Sequence, residues 1–196
     1  MLRLSNNMST TTLNAFTFSP SLTPYNIPPA NYLAAHPTFK GLIVSAVVIH
    51  KNRVLLIQRA PHDGFPLKWE CPGGGVDQTD ATILHAVCRE VHEETGLGVT
   101  HIADVVDILE FEGGGSDKGT LWRKITFLVG LDPEDLPEVR LDAEEHVDAV
   151  WASEGDVLAG KAEGRDIEFA YDEHKQTILD VLRRAGGNAE GSLGKE

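Results

Sequence analysis

Glu90, Glu93 and Glu94 stand at i, i+3 and i+4, and a short way before them runs Pro72-Gly73-Gly74-Gly75. In a helix of about 3.6 residues per turn these three carboxylates share one side, where like charges repel. Ile83, Val87 and Val91 supply the apolar stripe of the same helix, so the acids cannot simply spread around it. Compensating positive charge is required, and a divalent cation held by hard oxygen ligands would supply it. Acidic runs on helices are usually solvated faces. The glycine run just upstream shifts the reading toward a site.

The elements that must position these residues are legible in the surrounding pattern. Leu42–Ile49 and Val54–Gln58 are rich in Val, Ile and Leu and are joined by a polar turn, His50 to Arg53, so they read as a hairpin. Trp69–Cys71 reads as a short strand that ends at Pro72, and the glycines after it read as a loop. Asp80 is the expected N-cap and Gly96 the left-handed terminator of a helix over about 80 to 95. Ile102–Phe111 and Leu121–Leu131 read as strands around a Gly113–Gly119 loop, and Val147–Trp151 as a shorter one. The acidic, proline-containing stretch Asp132–Glu145 reads as a surface loop. Glu168–Arg184 carries a second amphipathic helical pattern. Strands with one central and one terminal helix make a mixed α+β layered fold.

With 196 residues, 41% of them hydrophobic and 24% charged, the chain suits one domain with terminal excess. Residues 1–39 contain no Asp or Glu. Such an N-terminus is compatible with organelle targeting, but Arg3 is its sole Arg and no amphipathic basic pattern appears. The reading adopted is an irregular arm pinned to the domain by Phe16, Phe18, Tyr25 and Tyr32, with Met8 as an alternative start. Residues 40–185 then form the domain and 186–196 a flexible tail. The runs Gly41–Ile49 and Ile125–Leu131 fall short of the roughly 20 residues a membrane span needs, so no membrane partner is expected. A net charge of -13 argues against duplex nucleic acid. Cys71 and Cys88 are unclustered, which favours a reducing, intracellular, cytoplasmic setting over a disulfide or zinc site.

Gly75, position 81 and Arg89-Glu90-Val91-His92-Glu93-Glu94-Thr95-Gly96-Leu97 are spaced as in the Nudix box, and eight of its nine defined positions match. The stretch from Leu42 to Trp151 resembles the Nudix hydrolase (MutT-like) family, including Leu55-Leu56-Ile57-Gln58-Arg59, Trp69-Glu70-Cys71-Pro72-Gly73-Gly74 and Glu144-Glu145-His146. The departure is Ala81, where the family has a Glu that commonly braces the box Arg, here Arg89. Asp80 or Asp77 lies near enough in sequence to take that place.

The resemblance implies an α/β/α sandwich with a mixed central sheet, a catalytic helix and a C-terminal helix. It also implies Mg2+- or Mn2+-dependent hydrolysis of the diphosphate linkage in a nucleoside diphosphate derivative or related organic diphosphate. Glu90, Glu93, Glu94 and the Gly75 carbonyl become the expected metal ligands. Glu93, Glu94 and Glu145 become the catalytic residues, with Glu145, or Glu144 in its place, as the base. Arg59, Gly74 and Gly75 become substrate contacts. Trp69 and Trp151 read as core before nucleobase platforms, and His62, His85 and His92 share no metal spacing. Gly113-Gly114-Gly115 lacks the Gly-Lys-Ser/Thr of a phosphate loop. Ala81 keeps open a second reading, a nucleotide-binding or regulatory module of the same fold with little or no turnover. An arm that docks on another subunit would make a homodimer.

Overall fold

The first described element lies at a sheet edge. The computed structural model describes residues 15–131 and 138–190, with side chains as far as Gly186. In it β1 (Thr17–Phe18) lies parallel to the start of a later strand, and a 3-10 turn (Pro20–Tyr25) and helix α1 (Pro29–Ala35) follow. Proline opens both, its fixed φ suiting a first helical turn. The arm is therefore built of short regular elements where an irregular path was expected. Leu22 and Tyr32 are buried in the core, and Phe16, Phe18, Tyr25 and Ile27 pack against it. Arg3 and Met8 lie outside the described residues.

β2 (Phe39–His50) and β3 (Arg53–Arg59) form the expected hairpin. Its turn residues Lys51 and Asn52 both take positive φ, 47° and 59°, as a two-residue type I′ turn demands. The two strands pair only at Ile49↔Val54 and His50↔Arg53 and then part. β3 goes on to pair with β4 (Trp69–Glu70), and β2 with β5 (Gly73–Gly75). Helix α2 (Ile83–Thr95) leads to β6 (His101–Glu112), β7 (Leu121–Gly130) and β8 (His146–Ala152), which joins β3. Helix α3 (Glu154–Ala159), the small hairpin β9 (Lys161–Ala162) and β10 (Arg165–Asp166), and helix α4 (Asp172–Glu190) are the last of the described elements. The sheet order is β1-β6-β7-β2-β3-β4, with β5 also on β2 and β8 also on β3, and β2 runs parallel to β7. Because β2 and β3 diverge, a cleft opens between their two groups of strands.

Alternation along the strands builds two cores. Val44, Ala46, Val48, Leu55 and Ile57 pack with Ile83, Leu84, Val87 and Val91 of α2. Val47, Val54 and Leu56 point the other way, to Ile178, Val181 and Leu182 of α4. The result is the expected α/β/α sandwich on a mixed sheet. Each of these Val, Leu and Ile side chains contributes roughly 1.5–3 kcal/mol when fully buried.

Three boundaries differ from the sequence reading. α2 begins at Ile83, capped by Thr82, whose hydroxyl accepts from the His85 N–H at 3.3 Å; the Asp80 carboxylate is drawn to Arg89 instead. Gly73–Gly75 is a strand in place of a loop, because chains without side chains can lie close against β2. α4 starts after Glu168 and Phe169, which are held in extended contact with Trp69, and it runs on to Glu190, past the expected start of the tail. Residues 132–137 of the acidic stretch and 191–196 of the tail lie outside the described residues.

Candidate active site

The glycine strand sets how closely the backbone can approach the acids of α2. A Cβ on Gly74 would sit 2.6 Å from Glu90 Oε2, and one on Gly73 would sit 2.2 Å from the Val44 carbonyl oxygen. With neither present, the Gly73 N–H donates to Glu94 Oε2 at 2.7 Å. Arg89 knits the segment together. Its Nε and Nη2 donate to the two oxygens of Asp80, both at 2.9 Å, and Nη1 donates to Glu90 and Glu93, both at 2.8 Å. Nη2 also donates to the Gly75 carbonyl at 3.0 Å. Asp80 thus occupies the bracing place that Ala81 cannot fill, and Ala81 itself is exposed.

Opposite α2, the end of β3 and the turn before β8 bring a second set of groups. Arg59 pairs with Asp63 at 2.6 Å and with Glu70. His146 is buried, with Nε2 3.4 Å from Glu70 and 3.9 Å from Glu94. The Glu145 carbonyl accepts from the Ala60 N–H at 2.8 Å, which fixes the turn. Ligand atoms of Glu94, Glu145 and His146 all fall within 4.8 Å of one another. The enclosing cavity measures about 740 Å³ and runs from this cluster across β2, β7 and β6 to the start of α4.

Electrostatically the cluster is short of cations. Burial pushes the Glu94 carboxyl up to about 9; the Gly73 N–H opposes this, while Glu70, Glu90 and Glu145 add to it. Burial also raises Glu90, against the pull of Arg89. Arg89 is held above the ordinary arginine range, first by its hydrogen bond to Asp80. Burial works against the charge on Arg59, and Asp63 and Glu70 outweigh it. Buried carboxylates with one imidazole nearby are a donor set that fits Mg2+ or Mn2+, and a cation would remove the cost of ionising Glu94.

Of the residues singled out in sequence, Glu90, Glu94, Glu145 and Gly74 come together here. Glu93 is more than half exposed and is tied to Arg89 at the rim. The Gly75 carbonyl already accepts from Arg89, although an oxygen has a second lone pair. Arg59 lines the cleft with its charge matched by two carboxylates. Glu144 is exposed and does not line the cavity. Trp69 is core, its Nε1 donating to the Asp166 carbonyl at 2.9 Å, and Trp151 packs against the core beneath α2, outside the cavity lining. Glu70, His146 and Lys124 were not singled out. The first two sit inside motif segments, and Lys124 has only its place in the alternation of β7 as a signal.

A family model described as the NUDIX domain matches residues 40–172. The chain belongs to the Nudix family. One relative, an RNA pyrophosphohydrolase of Rhizobium meliloti (strain 1021), is 36% identical over 59 residues, which is 30% of this chain and 35% of that protein. Another, an uncharacterized Nudix hydrolase, NudL, of Enterobacter sp. (strain 638), is 31% identical over 97 residues, 49% of this chain and 47% of the relative. The chain therefore spans between a third and a half of the length of these curated relatives. The Nudix domain of Shewanella oneidensis NrtR, solved with ADP ribose, shares the fold at a TM-score of 0.57 and 24% identity, covering 80% of this chain and 97% of that one. Among the described residues no helix is long and apolar enough to cross a membrane.

Proposed function

We propose that residues 40 to 185 hydrolyse the diphosphate linkage of a nucleoside diphosphate derivative or a related organic diphosphate, with Mg2+ or Mn2+. The observation that carries this reading is the convergence of Glu90, Glu94 and Glu145 in one cleft behind an open glycine strand. Pyrophosphohydrolysis, the activity in the name of the Rhizobium relative, belongs to the same reaction class.

Glu90 and Glu94 would hold the metal, with Glu145 and the second lone pair of Gly75 within the same cluster and Glu93 at its rim. When bound, the cation neutralises charge on the phosphoryl oxygens and polarises water. The chain's own residues do the rest. Gly73 fixes Glu94 through its N–H, and Arg89, braced by Asp80, fixes Glu90. Glu145 approaches from a turn outside α2 and takes the proton of the attacking water at a carboxylate oxygen. Gly74, without a side chain, lets the backbone lie against the Glu90 carboxylate, and Gly75 beside it borders open space that the phosphates can use.

The test is turnover across a panel of nucleoside diphosphate derivatives, with and without EDTA. Glu94→Gln should lower turnover roughly 100-fold, at or beyond the usual effect of disturbing a metal site. Undiminished turnover in that variant rejects the assignment. The module reading would be favoured by tight nucleotide binding in a protein with no turnover. Asp80 weakens its motive, since the bracing that Ala81 lacks is supplied next door. The free, buried thiols of Cys71 and Cys88 support a reducing intracellular setting, and the net charge of -13 supports a small anionic ligand held through metal over duplex nucleic acid.

A further inference from the structure

An anionic substrate needs positive charge that the protein has not already spent. Three cationic side chains line the cleft: Arg59, Arg89 and Lys124. Arg59 is matched by Asp63 and Glu70, and Arg89 by Asp80, Glu90 and Glu93. Lys124 is different, because among the described residues it makes no ion pair and no side-chain hydrogen bond. It projects from the middle of β7, on the strand face that carries Thr126 and Leu128; the opposite face carries Ile125 and Phe127 into the core beneath α2. Its cross-strand row is informative. Lys124 pairs in register with Ile43 of β2, and Ile43 with Gly75 of β5. The lysine thus lies two strand spacings, about 10 Å of backbone, from the glycine that borders the carboxylate cluster. A half-buried ammonium kept in a cleft without a partner is costly unless a ligand supplies one.

We propose that Lys124 is the residue that binds the anionic group of the substrate on the side away from the carboxylates, and that Arg59 is a positioning residue which holds Glu70 and the Asp63 loop. The neighbouring row supports the assignment. Ser45, which pairs with Gly73 and Thr126, is buried with its hydroxyl unpartnered, so the floor beside Lys124 is polar where a core would be apolar. This assignment rests on the diphosphate reading given above and says which cation holds that substrate.

The experiment compares the full chain with Lys124→Gln and Lys124→Arg. Two readouts are taken in Mg2+: steady-state hydrolysis of ADP-ribose, with the other diphosphates of the panel as alternatives, and calorimetric binding of α,β-methylene-ADP. A charge-assisted contact of about 1.5–3 kcal/mol corresponds to roughly 10- to 100-fold in affinity. Expected for Lys124→Gln is a KM raised by that factor with kcat within about threefold, a weaker salt dependence of KM, and substantial rescue in Lys124→Arg. A purely structural role would lower kcat and thermal stability together. Turnover with an unchanged KM overturns the role of Lys124 and leaves the hydrolase reading intact. Absence of turnover, with analogue binding that weakens tenfold or more in Lys124→Gln, does the reverse. Absence of turnover with equal or no binding in both proteins overturns both.

Discussion

His174 enters the cleft from the first turn of α4 with its Nε2 buried and unpartnered, and its ring lies 6.0 Å from that of Phe169. Burial lowers its pKa to about 3, and the charge on Lys124 adds to the effect. The folded protein therefore keeps this imidazole neutral in a range where the unfolded chain, with a pKa near 6.5, binds a proton. Stability from this group is complete above about pH 6.5 and is lost as pH falls toward 3. His174→Gln removes the difference. Between pH 7 and 4.5 the native sequence should lose on the order of 2 kcal/mol more than this variant, as read by urea unfolding at each pH. Parallel losses in the two proteins would show that the ring is hydrated or protonated in the fold. No sequence signal marked His174, since a lone histidine beside Lys175 has no metal or catalytic spacing to interpret. Glu90, Glu94 and Glu145, by contrast, were legible because α-helical geometry and a family pattern constrain them.

The helix α2, the strand β5 and the loop between them behave as one braced element, and Arg89 is the brace. Losing the bidentate partner leaves a largely buried guanidinium with Glu90, Glu93 and the Gly75 carbonyl, and its Nε without an acceptor. Asp80→Ala should cost about 1–3 kcal/mol of stability, the range for an abandoned buried charged hydrogen bond, and should reduce turnover because Glu90 and Gly75 lose their tether. Ala81→Glu should change stability by no more than about 0.5 kcal/mol, as for other exposed substitutions, since Asp80 already holds the site. The double variant is the sharper comparison. If a glutamate at 81 reaches Arg89, it restores much of what Asp80→Ala removes. A tenfold gain in turnover from Ala81→Glu alone would instead mean that Ala81 impairs the native site. Elements of this length, with periodic apolar residues, could be read from the sequence. Those that could not are short: β9 and β10 have two residues each, turned by Glu163 and Gly164 at positive φ, and α3 rests on the Ser153–Asp156 capping box over six residues. Two or six residues are too few for a period to emerge.

At the scale of the molecule, the arm belongs to the architecture that holds the site. It lies over the core from which α2 projects, and Tyr32 is its anchor. That ring is 5% exposed, stacks with Tyr25 and His36, and its hydroxyl accepts from Arg123 Nη1 at 2.8 Å. Aromatics in an otherwise unpatterned stretch were the sequence signal for docking; the partner surface was invisible because Phe127, Arg123 and Ile102 come from strands about a hundred residues later. Tyr32→Ala should cost about 3 kcal/mol, at the lower end for a buried aromatic. In a chain of this size that corresponds to a fall in Tm of roughly 6–12 °C. Removal of residues 1–39 should lower it further, with turnover per folded molecule declining as α2 loses its cover. The intramolecular arm predicts that both changes are independent of protein concentration and leave the elution volume unaltered except for mass. An arm exchanged between two copies predicts dissociation on truncation and a Tm that rises with concentration. Size-exclusion chromatography and thermal melts over a hundredfold concentration range separate these outcomes.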